Sequence, residues 1–513
     1  MRSIASLWRV TTRLALVAAL HAAVPAEAPA AKHPRYGGTL RVELRDVGVS
    51  LDPRAWKPGT IESAASEKIA ALVFDRLVSL DNYGRFQPQL ASEWSHDAAF
   101  KRWQFRLRDG VKFTDDTPLS AADVAAALQP LLPVPVQASG RGEILVLQSS
   151  APMPDVLELL ASGRHFIYRQ SGDTLVGTGP FFIAETTSPA ATDAKTTRYL
   201  LRANDTCWAG RPFVDAVEVT LGFPALRRLL DLQLGKADVI EIAPELARRA
   251  AQEKLRVWVS APVVTFGLRI DSEQPAGSSA RLREALSNSL DRATVANVLL
   301  QRQAEPAAAL LPQWLSGYAF LFDVDTNLER AKQLRAAQPT GPTSGSDLLR
   351  LRVDASGDLA KLVAERVAVN ARQAGLSVQV VPRTPAAASS DPAAALNLFA
   401  WHVTSLSPRL ELDALLKSMA VKETSPPDLS ATDAAQLFAR ERRILGDRYL
   451  LPIVVLPEYA GLNANVRNWL PSRWGEWHLA DVWLDFPDVA ETSGAPSAAK
   501  WLPASPLASG ARP

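Results

Sequence analysis

A single cysteine, Cys207, in a chain of 513 residues rules out an intramolecular disulfide and any cysteine-based metal cluster. Alone, it reads as a small buried apolar side chain. Histidine is scarce as well. His21, His33, His96, His165, His402 and His478 are scattered, none paired at helical ligand spacing, so no preformed metal site is expected. Charge of one sign is also missing: 56 basic and 54 acidic residues leave a net +2, which argues against a nucleic-acid-binding surface. Enzyme signatures are absent, with no G-x-S-x-G elbow, no H-E-x-x-H helix and no phosphate loop. Past the N-terminus there is no apolar run of the ~20 residues that a membrane span needs. No cofactor and no catalytic residue are expected.

What is present is the composition of an ordinary folded protein, 47% hydrophobic and 21% charged, in a chain long enough for two or three domains. Arg2, Arg9 and Arg13 precede the apolar residues 14–20 (LALVAAL), and small residues follow at Ala22, Ala23, Ala26 and Ala28. That order reads as an export signal over 1–28. No cysteine follows to carry a lipid, so the mature chain is expected to be soluble in the periplasm. Past Asp488 the sequence turns Ala/Ser/Pro/Gly-rich, and 489–513 reads as a flexible tail. Thirteen tryptophans against seven tyrosines are a conspicuous enrichment. Most buried tryptophan is core material, although a cleft that buries a small ligand also uses such faces.

The best-patterned stretch is 74–128. Helical spacing of Ile69, Leu72, Val73 and Leu77 leads into it and predicts a helix over 63–78. Trp103, Phe105 and Leu107 alternate with Gln104, Arg106 and Arg108 as a half-buried strand. Asp109-Gly110 predicts a hairpin, with Val111 and Phe113 opening the return strand. Ser120 with Asp123 resembles a capping box, so a helix should start near Ala121. Asp115-Asp116 is either an acidic site or a solvated turn. Farther on, Gly177-Thr178-Gly179-Pro180-Phe181 fails the dinucleotide fingerprint, because Phe182 stands where the third glycine belongs. It reads as a turn entering a strand. Residues 281–300 read as a helical run. Residues 349–353, 360–373 and 377–381 read as a βαβ unit with parallel strands. Residues 449–456, holding Pro452, read as an edge or crossover strand.

The order of these residues resembles the bacterial family-5 extracellular solute-binding proteins, the peptide- and nickel-type receptors of ABC importers. The resemblance rests on Tyr36-Gly37-Gly38-Thr39-Leu40, on Ser50-Leu51-Asp52-Pro53, on 74–128 and on the run at 177–181. It rests also on Asn204, Trp208, Gly210, Pro212 and Asp215, and on Arg283, Ala285, Leu286, Asp291 and Arg292. It implies an α/β, two-lobed periplasmic-binding-protein-like (type II) fold with an extra subdomain in the first lobe. The implied division gives lobe I to 36–57, 177–264 and 458–488, its subdomain to 58–176, and lobe II to 265–457.

Such a fold implies a monomeric receptor that closes on a small solute, a peptide or another, and delivers it to ABC permease and ATPase subunits. Ligand-facing positions then fall at Val47, Gly48 and Val49, at Phe266 on the crossover strand, and at Trp401, His402, Thr404 and Ser405. Peptide receptors of the family hold the α-ammonium with an acidic residue a few positions after a tryptophan. Thr404 occupies that position here. Losing a charge-assisted contact of ~1.5–3 kcal/mol predicts a receptor that does not grip a free peptide N-terminus. Two other classes stay open: a hydrolase with an unrecognised carboxylate pair, and a receptor that feeds a signalling partner instead of a permease.

Overall fold

The structure, a computed structural model, describes residues 33–485 apart from short stretches at 46–48, 162, 173, 188–195, 321, 324–325, 338–347, 355–356, 383–393, 422 and 424–432. The expected export signal and tail lie outside the described residues, as do Val47 and Gly48.

One mixed sheet organises the chain. Its strands are Thr39–Leu44 (β1), Phe181–Thr187 (β2), Thr197–Ala203 (β3), Ala216–Leu221 (β4), Val239–Ile242 (β5), Arg256–Ile270 (β6), Leu348–Val353 (β7), Ser377–Pro382 (β8), Leu396–His402 (β9) and Leu450–Leu462 (β10). They lie in the order β2-β3-β4-β1-β5-β10-β6-β9-β7-β8, with the short strand Glu305–Pro306 paired to β10. The two ends of the sheet serve different cores. Leu40, Val42, Val217, Val219 and Val239 pack in one apolar cluster with Phe74 and Phe181. Phe266, Leu268, Leu351, Leu396 and Leu398 pack in another.

Strands β6 and β10 pass between the two cores. They are antiparallel and 15 and 13 residues long. One end of β10 pairs with β5, while β6 pairs with β9 from Val264 to Ile270. Between these ends the register shifts at Val259/Pro262 and again at Pro262/Val264, and Pro262 stands opposite Pro457. Neither proline has an N–H to give, so the ladder is weakest where the chain crosses from one core to the other. Pro452 also lies in β10, and the edge reading of that segment is corrected: β10 is interior. The sheet accommodates Pro452 at a further shift beside Gly267, and the freed Pro452 carbonyl accepts from Arg292 Nε at 2.7 Å.

Local sequence signals explain most boundaries, and tertiary contacts explain the exceptions. Helix α1 (Ile61–Val73) is capped by Thr60, whose Oγ1 accepts from Ser63 N at 3.2 Å. It ends at Val73, not near 78, because the chain must turn there to meet the 177–181 run. Gly179 N donates to Val73 O at 3.0 Å, and a Cβ on Gly177 would lie 2.1 Å from that oxygen. The glycine run therefore serves close backbone packing.

In the subdomain, Arg102–Leu107 buries Trp103, Phe105 and Leu107 and exposes the residues between. Gly110 turns with φ +72, but the expected return strand does not form. Arg102–Leu107 pairs instead with Ala91–His96 and Ile144–Gln148. Residues 111–119 close on themselves, Leu119 N donating to Val111 O and Phe113 N to Thr117 O, both at 2.9 Å. Helix α2 (Ala121–Leu128) carries both halves of the Ser120/Asp123 capping box. Asp115 accepts from Thr117 and Arg169 within an exposed turn.

In the second lobe the run 281–300 is divided. Helix α3 (Ala280–Ser289) stops, Asp291 recaps the chain by accepting from Thr294 N at 2.9 Å, and a π turn follows at Val295–Leu299. The βαβ unit forms as read, with β7 parallel to β8 and helix α4 (Asp358–Gln373) between them.

Candidate functional site

Strand β9 ends at His402, and the chain turns through 403–407 into helix α5 (Pro408–Ser418), capped by Ser407 and opened by Pro408. Glu411, in the first turn of α5, points inward and is 1% exposed. Its carboxylate accepts from Trp401 Nε1 at 2.6 Å, Thr404 Oγ1 at 2.7 Å, Thr404 N at 2.9 Å and Ser405 N at 3.0 Å. Four donors occupy the lone-pair positions a carboxylate offers. Thr404 is thus a donor to an acid that is already spent, and the loop is tied to its own helix.

This loop is the meeting place of distant segments. Gly59, at φ +75, lies flat on the Trp401 ring, where an added Cβ would sit 2.2 Å from the indole. His402 N donates to Gly59 O at 2.7 Å, and Ile61 at the start of α1 joins the second lobe's core. Gly163 faces Thr404 O, and its own carbonyl accepts from Arg76 Nη2 at 3.1 Å. Arg409 of α5 reaches Asp155, at the start of the short helix Val156–Leu160, with Nε at 2.7 Å.

Beside this contact lies a buried ionic cluster. Lys68 Nζ is 2.9 and 2.8 Å from the two Glu458 oxygens, and His402 Nε2 is 3.3 Å from Glu458 Oε1. Arg76 pairs with Glu67, and with Glu476 at 2.7 Å. Burial disfavours the Glu458 carboxylate, but the charges of Lys68 and His402 outweigh it and hold Glu458 well below the usual range. Burial pushes Glu67 up to about 7 against the pull of Arg76. Arg164, next to Gly163, is half-buried, among the described residues no carboxylate pairs with it, and burial lowers its pKa from arginine's usual value.

Of the residues expected to face a ligand, the structure brings Trp401, His402, Thr404 and Ser405 together. Phe266 stands opposite Ala400 on β6 and is 4% exposed inside the second lobe's core. Val49 packs on the first lobe's core, where its carbonyl accepts from Tyr199 Oη at 3.3 Å. Sequence reasoning missed Gly59, Lys68, Arg164, Glu411 and Glu458. Only Glu411 carried a usable signal, since Ser407-Pro408 marks a helix start and places it in the first turn. A surface hollow of about 330 Å³ lies between subdomain residues, Arg108 among them, and Trp208, and is lined by residues other than those of this loop. Among the described residues no three His, Cys, Asp or Glu side chains group as metal ligands, and no helix is long and apolar enough to cross a membrane.

Two α/β lobes joined by crossing strands, with a subdomain and a polar contact zone between them, define a two-lobed binding protein. The chain belongs to the bacterial extracellular solute-binding proteins, family 5: the family's profile for its middle region matches residues 85–419. The nickel-binding protein NikA of Staphylococcus aureus is 22% identical over 359 residues, covering 67% of this chain and 71% of that protein. The peptide transport periplasmic protein SapA of Salmonella typhimurium is 23% identical over 444 residues, covering 75% and 79%. Among solved structures, the murein tripeptide binding protein MppA of Escherichia coli superposes with a TM-score of 0.74 at 16% identity, covering 88% of this chain and 99% of its own. DppA of Helicobacter pylori in complex with the peptide STSA gives 0.72 at 17%, covering 88% and 99%. The fold is that of these two-lobed proteins.

Proposed function

We propose that this protein is the periplasmic receptor of an ABC importer, taking a small organic solute between its lobes and presenting it to permease and ATPase subunits. Membership of the solute-binding family supports the receptor role, as does a weak point in the shared strands where Pro262 faces Pro457. We propose further that the solute offers an anionic group, such as a carboxylate, and is not held by an α-ammonium. The observation that carries this is the Glu411 carboxylate, whose four donors come from its own loop and leave no acid there for a ligand cation. Arg164, half-buried beside the same loop and paired with no carboxylate among the described residues, suits the opposite charge. The hydrolase alternative has no support in the family's character.

Native mass spectrometry of gently purified protein would identify a retained solute. Thermal-shift measurements would then compare di- to pentapeptides, their N-acetyl forms and their C-terminal methyl esters. For any peptide that binds, N-acetylation should leave the shift unchanged, and methyl esterification or Arg164→Ala should remove it. Tight binding of ordinary peptides abolished by N-acetylation would overturn the proposed chemistry.

A further inference from the structure

His402 is held so that its charged form fits its surroundings best. Its Nδ1 lies 2.8 Å from Val403 O, and a carbonyl can only accept, so Nδ1 carries a hydrogen. In the neutral ring Nε2 would then be a bare lone pair. That atom is buried, and what it faces is the Glu458 carboxylate at 3.3 Å. Lone pair against carboxylate is repulsive; a proton on Nε2 makes it an ion pair.

The partners belong to different parts of the fold. Lys68 lies on α1, Glu458 follows Pro457 at the weak point of β10, and His402 ends β9. Ser260 Oγ, across that weak point, accepts from Glu458 N at 2.9 Å, which ties the Glu458 backbone to β6 there. Gly475 leaves room for it, since a Cβ there would be 3.0 Å from Glu458 Oε2. Lys68 Nζ also sits over the Trp477 ring, 5.3 Å from its centroid.

We propose that Lys68, Glu458 and His402 form a proton-operated latch, in which a proton on His402 Nε2 holds the lobes closed and its loss favours opening. The proposal rests on the receptor reading, because it needs lobes that open. The charged groups facing His402 are Glu458 of β10, Lys68 and Glu67 of α1, and through them Arg76 and Glu476. Burial opposes the charge on His402, but Glu458 prevails, and the group titrates above its ordinary value. An opened lobe returns His402 to the ordinary ~6.5. Closure therefore takes up a proton above that pH. The latch is fully engaged below ~6.5 and is lost as pH rises through the raised value. One proton bounds the effect at about tenfold per pH unit in the closed-to-open ratio.

The test uses the full-length protein with dyes on Leu226→Cys and Val298→Cys, both exposed, while the buried Cys207 stays unlabelled. Single-molecule energy transfer reads the two lobe separations between pH 6 and 9. The closed fraction should fall with pH in the wild-type background and stay flat in His402→Gln, whose amide can donate at any pH. A pH dependence that survives in His402→Gln assigns the effect to Glu67 and overturns the latch. Two populations in a pH-independent ratio also overturn it, and leave the receptor reading standing. A single separation at every pH refutes the receptor reading itself. Should His402→Gln fail to fold, hydrogen–deuterium exchange at the wild-type histidine Cε1 reads the titration directly, and a value at or below the ordinary one overturns the latch.

Discussion

Gly59→Ala probes the Gly59–Trp401 contact, on which the closure proposed above would depend. The methyl group would lie 2.2 Å from Cε3 and Cζ3 of Trp401, over an ångström inside ordinary contact. The indole cannot yield freely, because its Nε1 is 2.6 Å from the buried Glu411 carboxylate and Trp401 is 2% exposed. Moving the ring far enough gives up that charge-assisted bond, at a cost of ~1.5–3 kcal/mol. The left-handed backbone at φ +75 adds ~1–2 kcal/mol for alanine. If the loop keeps its shape on opening, that second cost applies to both arrangements and cancels. The ring displacement applies only where Gly59 meets Trp401, so the closed-to-open ratio should fall roughly 10- to 150-fold. Lobe separation read by energy transfer in Gly59→Ala measures the ratio, and the melting temperature reports the backbone term. An unchanged ratio together with an unchanged melting temperature would refute the claim that this contact holds the lobes together.

Three further outcomes follow from buried groups. Burial pushes Glu441 up to about 7 while it accepts from Leu310 N, Leu311 N and Tyr318 Oη. The folded protein therefore binds more protons than the unfolded chain between ~4.5 and 7, and stability falls across that window by ~3 kcal/mol as pH rises. Glu441→Gln should make this slope shallower by its own share, leaving the shares of Glu43 and Glu67, which burial also raises to about 7, and should raise the melting temperature at pH 8; an unaltered slope rejects the assignment. Gly177→Ala places a methyl 2.1 Å from Val73 O, a backbone atom with no flexible end to move. Its urea midpoint should drop by the equivalent of ~1–3 kcal/mol or more, and full stability would contradict the packing described. The Cys207 thiol, buried and pushed up to about 11 by that burial, should resist iodoacetamide at pH 8 until the protein is unfolded in urea. Labelling of the native protein at the rate of a free thiol is the contrary result.

Much of the fold was legible because its signals are local. The Ser120/Asp123 box, the alternation of 103–107 and the βαβ unit depend on neighbours within a few residues, where propensity and pattern act. The errors lie where a distant segment overrides the local signal. Asp109-Gly110 turns as its residues dictate, yet its strand has better partners at 91–96 and 144–148, so the hairpin is never completed. Helix α1 stops at Val73, where Gly179, a hundred residues on, donates to the Val73 carbonyl and Gly177 packs against it. Pro452 argued for an edge or a crossover strand; the strand does cross between the two cores, and the sheet admits Pro452 inside by shifting register.

The contact zone was legible only in part, for a reason the distances make plain. Lys68 and Glu458 are 390 positions apart in the chain, and nothing local to either marks the other as its partner. The loop at 401–405 drew attention through what Thr404 lacks. The structure adds that an acid is nevertheless present, seven residues on at Glu411, and faces inward. A missing charge and a charge consumed by its own loop leave a solute the same environment, but they differ under mutation. If the charge were merely missing, Thr404→Asp would supply an ammonium site. With Glu411 accepting from Thr404 Oγ1 at 2.7 Å, the new carboxylate would meet an existing one, and like charges that close share a proton. Thr404→Asp alone should therefore destabilise the loop without conferring affinity for a free peptide N-terminus. Peptide binding gained by that single substitution, lost again on N-acetylation, would show that Glu411 is not held as described.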